Sequence, residues 1–207
     1  SVFIRERVGD RLIGPHGEKN PFNISGTLVS AFVDEDLRQM PLPRQGDYIV
    51  AIKAHGGRSN GFLDRRNLMF KWFGKDWEKT RVGSAFGEFL IKPSIIFYPV
   101  FVKLISSGLA TGVFHMSGGA FRDKLSGVLA KLQLYAEIGI DSCMEKLFDP
   151  DPREAAFASQ FQLSDAYTKF AMGNEGFVTT SNIQRTQTLL SEAGLESRLV
   201  GRIVPNK

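Results

Sequence analysis

With 207 residues, 43% of them hydrophobic and 23% charged, the chain carries enough apolar material to bury the core of one substantial domain. Its net charge of +4 is mild, and its lysines and arginines are scattered among acids, which argues against nucleic acid as a partner. No apolar run approaches the roughly 20 residues needed to cross a bilayer, no signal-like segment is read at the start, and the single Cys143 excludes an internal disulfide framework. These features predict a cytoplasmic setting with Cys143 as a buried structural thiol. Phe is abundant at 17 against 4 Tyr and 2 Trp, a skew that suits packed interiors better than a base-stacking surface.

Residues 1–24 read as a charged lead-in broken by Gly14-Pro15 and Asn20-Pro21. Residues 24–33 (ISGTLVSAFV follows Asn23) are rich in β-formers and predict a strand; 34–46 are a polar connection with Pro41 and Pro43. A short apolar run over 47–53 predicts a buried strand. It leads into the glycine-punctuated loop 54–61 and then a helix over 62–73. Strand, glycine-rich loop and helix N-terminus in that order make an anion site, because the glycines let the backbone approach a ligand and the helix offers unpaired N–H groups. The same residue types also build ordinary turns. The basic stretch from Arg65 and Arg66 to Arg81 is interrupted by Asp64, Asp76 and Glu78 and reads as a solvated helical face.

Residues 88–107 predict a buried helix interrupted near Pro99. A strand over 112–116 runs into Ser117-Gly118-Gly119-Ala120 and an amphipathic helix over 121–132, a second strand–loop–helix unit whose loop can face the same crevice as the first. Further elements are a strand over 132–138, a turn over 149–153 whose acids cap a helix near Glu154, a helix over 164–172, a strand over 176–180, a helix capped by Ser181 or Asn182 and stopped at Gly194, and a strand over 199–204. Hairpin and crossover spacings are intermixed, which predicts an α+β fold with a mixed β-sheet covered by helices.

Several patches, in order, resemble the C-terminal domain of aminoimidazole ribonucleotide (AIR) synthase, or phosphoribosylformylglycinamidine cyclo-ligase, of the PurM-like superfamily. Gly46-Asp47-Tyr48-Ile49-Val50 followed by Gly56-Gly57-Arg58-Ser59-Asn60-Gly61-Phe62 resembles that family's "GD-strand, then G-x-H-S-N-G-[YF]". Leu90-Ile91-Lys92-Pro93-Ser94-Ile95 is similar to its "L-x-P-T-R-I-Y", and His115-Met116-Ser117-Gly118-Gly119-Ala120 to its "H-[IL]-T-G-G-G". Tyr167-Thr168-Lys169-Phe170-Ala171-Met172-Gly173 is similar to "M-Y-R-x-F-N-M-G", and Gly201-Arg202-Ile203 to the closing "I-G-x-[VI]". The likeness covers about 24–204. It implies a PurM C-terminal-like domain over 25–207, with 1–24 leading in from an N-terminal half.

The resemblance also implies a reaction. The amide oxygen of formylglycinamidine ribonucleotide is phosphorylated at the expense of ATP with Mg2+, an internal nitrogen attacks the activated carbon, and phosphate leaves as the imidazole ring closes. Such chemistry needs backbone amides around phosphate and a cation to spread the transferred charge. Carried over by motif, Gly57, Arg58, Ser59, Asn60 and Gly61 on one loop, with His115, Ser117, Gly118 and Gly119 on the other, are the expected contacts to a phosphoribosyl substrate. No metal ligand and no catalytic residue is assigned. His115 is read either as a donor to the ligand or as a hydrogen-bonded strand-end residue. A homodimer in the full-length protein is implied as well, with neither nucleic acid nor membrane as partner.

Five positions depart from the family pattern. Arg58 stands for its histidine and cannot transfer a proton at neutral pH. Ile95 stands for an arginine, Ala120 for a glycine, and Lys124 and Ala171 for asparagines. The family's ATP-binding N-terminal domain has no counterpart in this sequence, so the chain is not expected to turn over substrate alone. Two alternatives remain open: another PurM-like ATP-dependent enzyme (selenophosphate synthetase, thiamine-monophosphate kinase or the hydrogenase-maturation dehydratase), or a non-catalytic ligand-binding relative.

Overall fold

The computed structural model describes residues 6–8, 11–13, 41–58, 60–139 and 142–205, the first two stretches through their backbone pairing alone. Strands β1 (Glu6–Val8) and β2 (Arg11–Ile13) pair antiparallel. Among the described residues the main sheet has five strands: β3 (Tyr48–Lys53), β4 (Gly112–His115), β5 (Leu134–Ile138), β6 (Asn174–Thr180) and β7 (Ser197–Pro205), in the order β4-β6-β3-β7-β5. All four pairings are antiparallel, so the sheet expected to be mixed is antiparallel throughout the described residues, while the α+β class and the covering helices hold. The strand expected over 24–33 lies outside the described residues.

Central β3 shows why its sequence is an unbroken apolar run. Ile49 and Ala51 enter one cluster with Phe114, Leu129, Phe177 and Ile203, whereas Val50 and Ile52 enter another with Val100, Leu104, Val178 and Leu190. A strand buried on both faces has no polar side to alternate with. The second face is covered by α3 (Tyr98–Ser106) and α7 (Ile183–Glu192), the latter capped by Asn182, whose side chain accepts from the Arg185 N–H. A third apolar cluster lies around α1 (Phe62–Phe73), α2 (Arg81–Leu90), α5 (Pro152–Ala158) and α6 (Leu163–Lys169), where Met69, Phe89, Phe157 and Phe170 are buried. Trp72 stacks on Phe157 at 5.3 Å between ring centroids and Phe86 meets Phe157 edge-on at 5.2 Å, so much of the phenylalanine excess fills this cluster.

Four expectations are corrected. The helix expected over 88–107 is two helices: α2 ends at Leu90, the chain runs without helix past Pro93, and α3 begins at Tyr98 with Pro99 in its first turn. Proline there starts the helix, since its absent N–H would be unpaired anyway and its fixed φ suits the first turn. The helix expected over 121–132 begins as a π-type turn over Phe121–Ser126 before α4 (Gly127–Lys131). Arg65 and Arg66 are buried and do not form a solvated face, because α1 turns that side against the aromatic cluster. Cys143, expected to be buried, is exposed.

Candidate functional site

β3 ends at Lys53, the loop 54–61 follows, and α1 starts at Phe62. Gly61 adopts φ +69°, and a Cβ there would stand 2.6 Å from Phe170 Cε1 and 2.8 Å from the Lys169 carbonyl oxygen. Only glycine reaches this turn without displacing α6. Arg58 is also left-handed, at φ +56°, a conformation that costs a side-chain-bearing residue roughly 1–2 kcal/mol and so must be held by its surroundings.

Two carboxylates hold it. Glu175, on β6 and fully buried, accepts from the backbone N–H of His55 at 2.8 Å through Oε2 and from that of Ile95 at 3.0 Å through Oε1, while the Arg58 guanidinium donates to the same Oε1. One side chain therefore ties the loop, the 91–97 connection and Arg58 to the sheet. Glu154, on α5, accepts from Arg65 Nη2 at 2.7 Å and from the Gly173 N–H at 3.0 Å. Arg65 Nη1 in turn donates to the carbonyls of Gly57 and Arg58, the latter at 3.0 Å. Burial drives the Glu154 carboxyl above its ordinary range, against the pull of Arg65, and lowers Arg65 to about 10.

The two loops singled out in the sequence meet at one contact: Arg58 Nη2 lies 2.6 Å from His115 Nε2, at the end of β4. A guanidinium can only donate, so Nε2 accepts and the neutral imidazole carries its proton on Nδ1. Burial, then the Arg58 cation, hold His115 below its usual value, which favours that neutral form. Ser117, Gly118 and Gly119 form the turn that follows: the Ser117 carbonyl accepts from the Ala120 N–H at 2.7 Å, Gly119 has φ +83°, and nothing stands within 4 Å of a Cβ at Gly118. Ala120, where the resembled family keeps glycine, is itself at φ +36°, which gives a physical reason for a glycine at that position.

Asn60 is 7% exposed, and among the described residues neither its Oδ1 nor its Nδ2 has a hydrogen-bond partner, nor has the neighbouring Arg58 Nε. Ser59 lies outside the described residues. Three unsatisfied polar atoms in one loop cost roughly 1–3 kcal/mol each, and a ligand bearing acceptors and a donor would relieve them. A cleft of about 550 Å3 opens beside the start of the loop, lined by Lys53, His55, Gly56, Phe89, Lys92, Ile95, Asp149, Asp151, Glu154, Gly173 and Glu196 among others. None of the eight described site residues expected from sequence lines it; His55 and Gly56, just before the first loop's set, do. Among the described residues no three His, Cys, Asp or Glu side chains stand together as a metal site. No helix among the described residues is long and apolar enough to cross a membrane.

Sequence reasoning missed Glu175, Glu154 and Arg65. Glu175 carries one usable signal, a carboxylate embedded in a strand whose seven residues are all buried. Such a charge must be paired. Arg65 and Glu154 are 89 positions apart, and nothing local announces their meeting.

No family model matches the chain. It is similar to the phosphoribosylformylglycinamidine cyclo-ligase of Alkaliphilus metalliredigens, 24% identical over 192 residues that make up 90% of this chain and 54% of that protein. To the enzyme of the same name from Enterococcus faecalis it is 27% identical over 202 residues, 92% of this chain and 54% of that protein. The resemblance read from the motifs is borne out by these homologues, and the chain spans about half the length of the curated relatives it matches. Among solved structures, a thiamine-monophosphate kinase from Stenotrophomonas maltophilia aligns over 81% of this chain and 52% of that one, with 14% identity and a TM-score of 0.49.

Proposed function

We infer that this chain, a homologue of phosphoribosylformylglycinamidine cyclo-ligases, forms one half of an ATP-dependent PurM-like ligase and contributes the 56–61 and 115–119 loops to a site for a phosphoribosyl substrate. The observation that carries the reading is Asn60, a buried carboxamide whose Oδ1 and Nδ2 have no hydrogen-bond partner among the described residues, in a loop otherwise fixed at Ala54, His55, Gly57 and Arg58. A carboxamide offers two donors and an acceptor, which suits phosphate oxygens or a ribose hydroxyl. His115 adds an Nδ1–H donor, because its Nε2 is taken by Arg58.

In the proposed reaction the amide oxygen of formylglycinamidine ribonucleotide is phosphorylated at the expense of ATP, the internal nitrogen attacks the activated carbon, and phosphate departs. The role of this chain is to bind and orient the ribonucleotide; ATP and Mg2+ are assigned to the part of the relatives' length that it does not span. Purine biosynthesis in the cytoplasm and a homodimeric assembly belong to the same proposal.

A second reading, a relative that binds ligand without turnover, is favoured by Arg58. Its guanidinium is committed to Glu175 and His115, and it cannot take the proton-transfer part open to a histidine at that position.

The test is a thermal-shift titration of the protein in its natural length with formylglycinamidine ribonucleotide, ATP–Mg2+ and inorganic phosphate, together with Asn60→Ala. Ribonucleotide at 100 times its Kd should add about 2.7 kcal/mol and raise Tm by several degrees. The variant should keep its fold and lose most of that shift. No stabilisation of the wild type by the ribonucleotide refutes the proposal; stabilisation without release of phosphate from ATP selects the second reading.

A further inference from the structure

The hydrogen bonds of Arg65 and Glu154 close a circuit around the candidate loop. The loop begins at Ala54, whose N–H donates to the Gly173 carbonyl at 2.8 Å. The Gly173 N–H donates to Glu154 Oε2 at 3.0 Å, Glu154 Oε1 accepts from Arg65 Nη2 at 2.7 Å, and Arg65 Nη1 returns to the loop at the Gly57 and Arg58 carbonyls. Arg65 is 0% exposed, and its guanidinium lies 4.7 Å from the Phe170 ring centroid and 6.0 Å from that of Phe157. The planar fork is fixed by rings, carboxylate and carbonyls together, a geometry that an ammonium would not reproduce.

Arg65 and Glu154 touch neither Asn60 nor His115 through any of these bonds, yet they fix the two residues before 59 and 60 and the left-handed turn at Arg58. The carbonyls they hold belong to the backbone that presents Asn60. A buried pair of this kind is weak evidence for stability, because its attraction is largely offset by desolvation. Fixing a loop in its ligand-ready shape is a different contribution, since ordering done in advance is not charged against binding.

We propose that Arg65 and Glu154 are positioning residues, whose buried pair presets the backbone at Gly57 and Arg58 so that the Asn60 carboxamide meets the ligand. This rests on the functional reading above. It predicts that the pair acts on ligand affinity through Asn60, in addition to any effect on stability.

The experiment is a double-mutant cycle on the protein in its natural length, with isothermal titration of formylglycinamidine ribonucleotide as the probe. Wild type, Asn60→Ala, Glu154→Gln and the double variant are compared, with Arg65→Met as a second route to breaking the pair. Glu154→Gln keeps the shape and an acceptor. It should weaken binding at least 10-fold, and adding Asn60→Ala to it should weaken binding less than 2-fold further, because a misplaced carboxamide has little left to lose. A merely structural pair would leave the affinity of the folded fraction unchanged, or would give effects that multiply independently; either result overturns the proposal. If neither Glu154→Gln nor Arg65→Met folds, the pair is structural and the proposal also falls. Wild type that fails to bind the ribonucleotide sinks the functional reading first, a result distinct from binding by wild type with independent effects in the cycle.

Discussion

Replacing Glu175 by glutamine tests the account of the loop most directly. The carboxylate is fully buried, its partner side chain Arg58 is 3% exposed, and it accepts three hydrogen bonds in all. Glutamine has one carbonyl oxygen. If that oxygen takes the place of Oε1, it can serve Ile95 and Arg58, but its NH2 then faces the His55 N–H, donor against donor. The lost bond costs about 1–3 kcal/mol, and leaving the Arg58 cation without an anion raises the total to about 3–5 kcal/mol. Arg58→Met removes the charge from the other side and leaves the carboxylate with two backbone N–H bonds, at about 2–4 kcal/mol. The double variant leaves no unpaired charge at this contact. It should therefore cost little more than the worse single, with a coupling of at least about 1.5 kcal/mol. Urea unfolding of the four proteins, followed by circular dichroism, gives each ΔG by linear extrapolation. A loss under about 1 kcal/mol for Glu175→Gln, or single losses that add to within about 0.5 kcal/mol, would mean that the pair does not anchor the loop.

Ala120→Gly reverses the ordinary rule for a buried alanine. Relief of the positive φ contributes about 1–3 kcal/mol, offset by about 0.4–1 for the freer unfolded chain and about 0.8 for the lost methyl, so stability should stay within about 1 kcal/mol of wild type or rise. A loss above about 1.5 kcal/mol in the same urea assay contradicts this. His115, held below its ordinary value, lowers the proton uptake of the folded state, so its contribution is complete above the unfolded value near 6.5 and is lost as pH falls through the folded one. Stability measured from about pH 7 down to about pH 5 should fall less steeply in His115→Gln, which keeps an acceptor for Arg58; an unchanged slope would remove His115 from the account.

What was legible in the sequence followed from local rules. The helix Phe62–Phe73 is legible with its observed bounds as the helix-compatible stretch that follows the glycine loop, and β3, buried on both faces, reads as an unbroken apolar run. The acids of 149–153 and the pair Ser181-Asn182 are legible as cap candidates, and of these Asp151 and Asn182 accept the backbone N–H groups. The helix Arg81–Leu90 was not foreseen: Gly83 and Gly87 weaken its signature, although both let Trp77 pack closely, with Cβ positions 2.1 Å from its carbonyl oxygen and 2.6 Å from its ring. Within the candidate site, the glycine loops were readable as types in order. The side chains that hold them were not, because Glu175 lies 117 positions from Arg58 and Glu154 lies 89 from Arg65. Pairings over such separations leave no local periodicity, and Arg65 inside a basic run reads as surface.

The strand order has a consequence in time. β3 is the middle of the sheet, yet both of its neighbours, β6 and β7, are made last, about 120 residues and more after it leaves the ribosome. At about 5–20 residues per second, an apolar strand with no backbone partner in its final sheet waits roughly 6–25 seconds during synthesis. Through that interval its six residues are as much a hazard as a nucleus, open to pairing with any other extended chain. The residues that end the wait lie within 174–205, so an early stop anywhere before that stretch removes both strands that flank the centre of the sheet and leaves β3 without either of its partners.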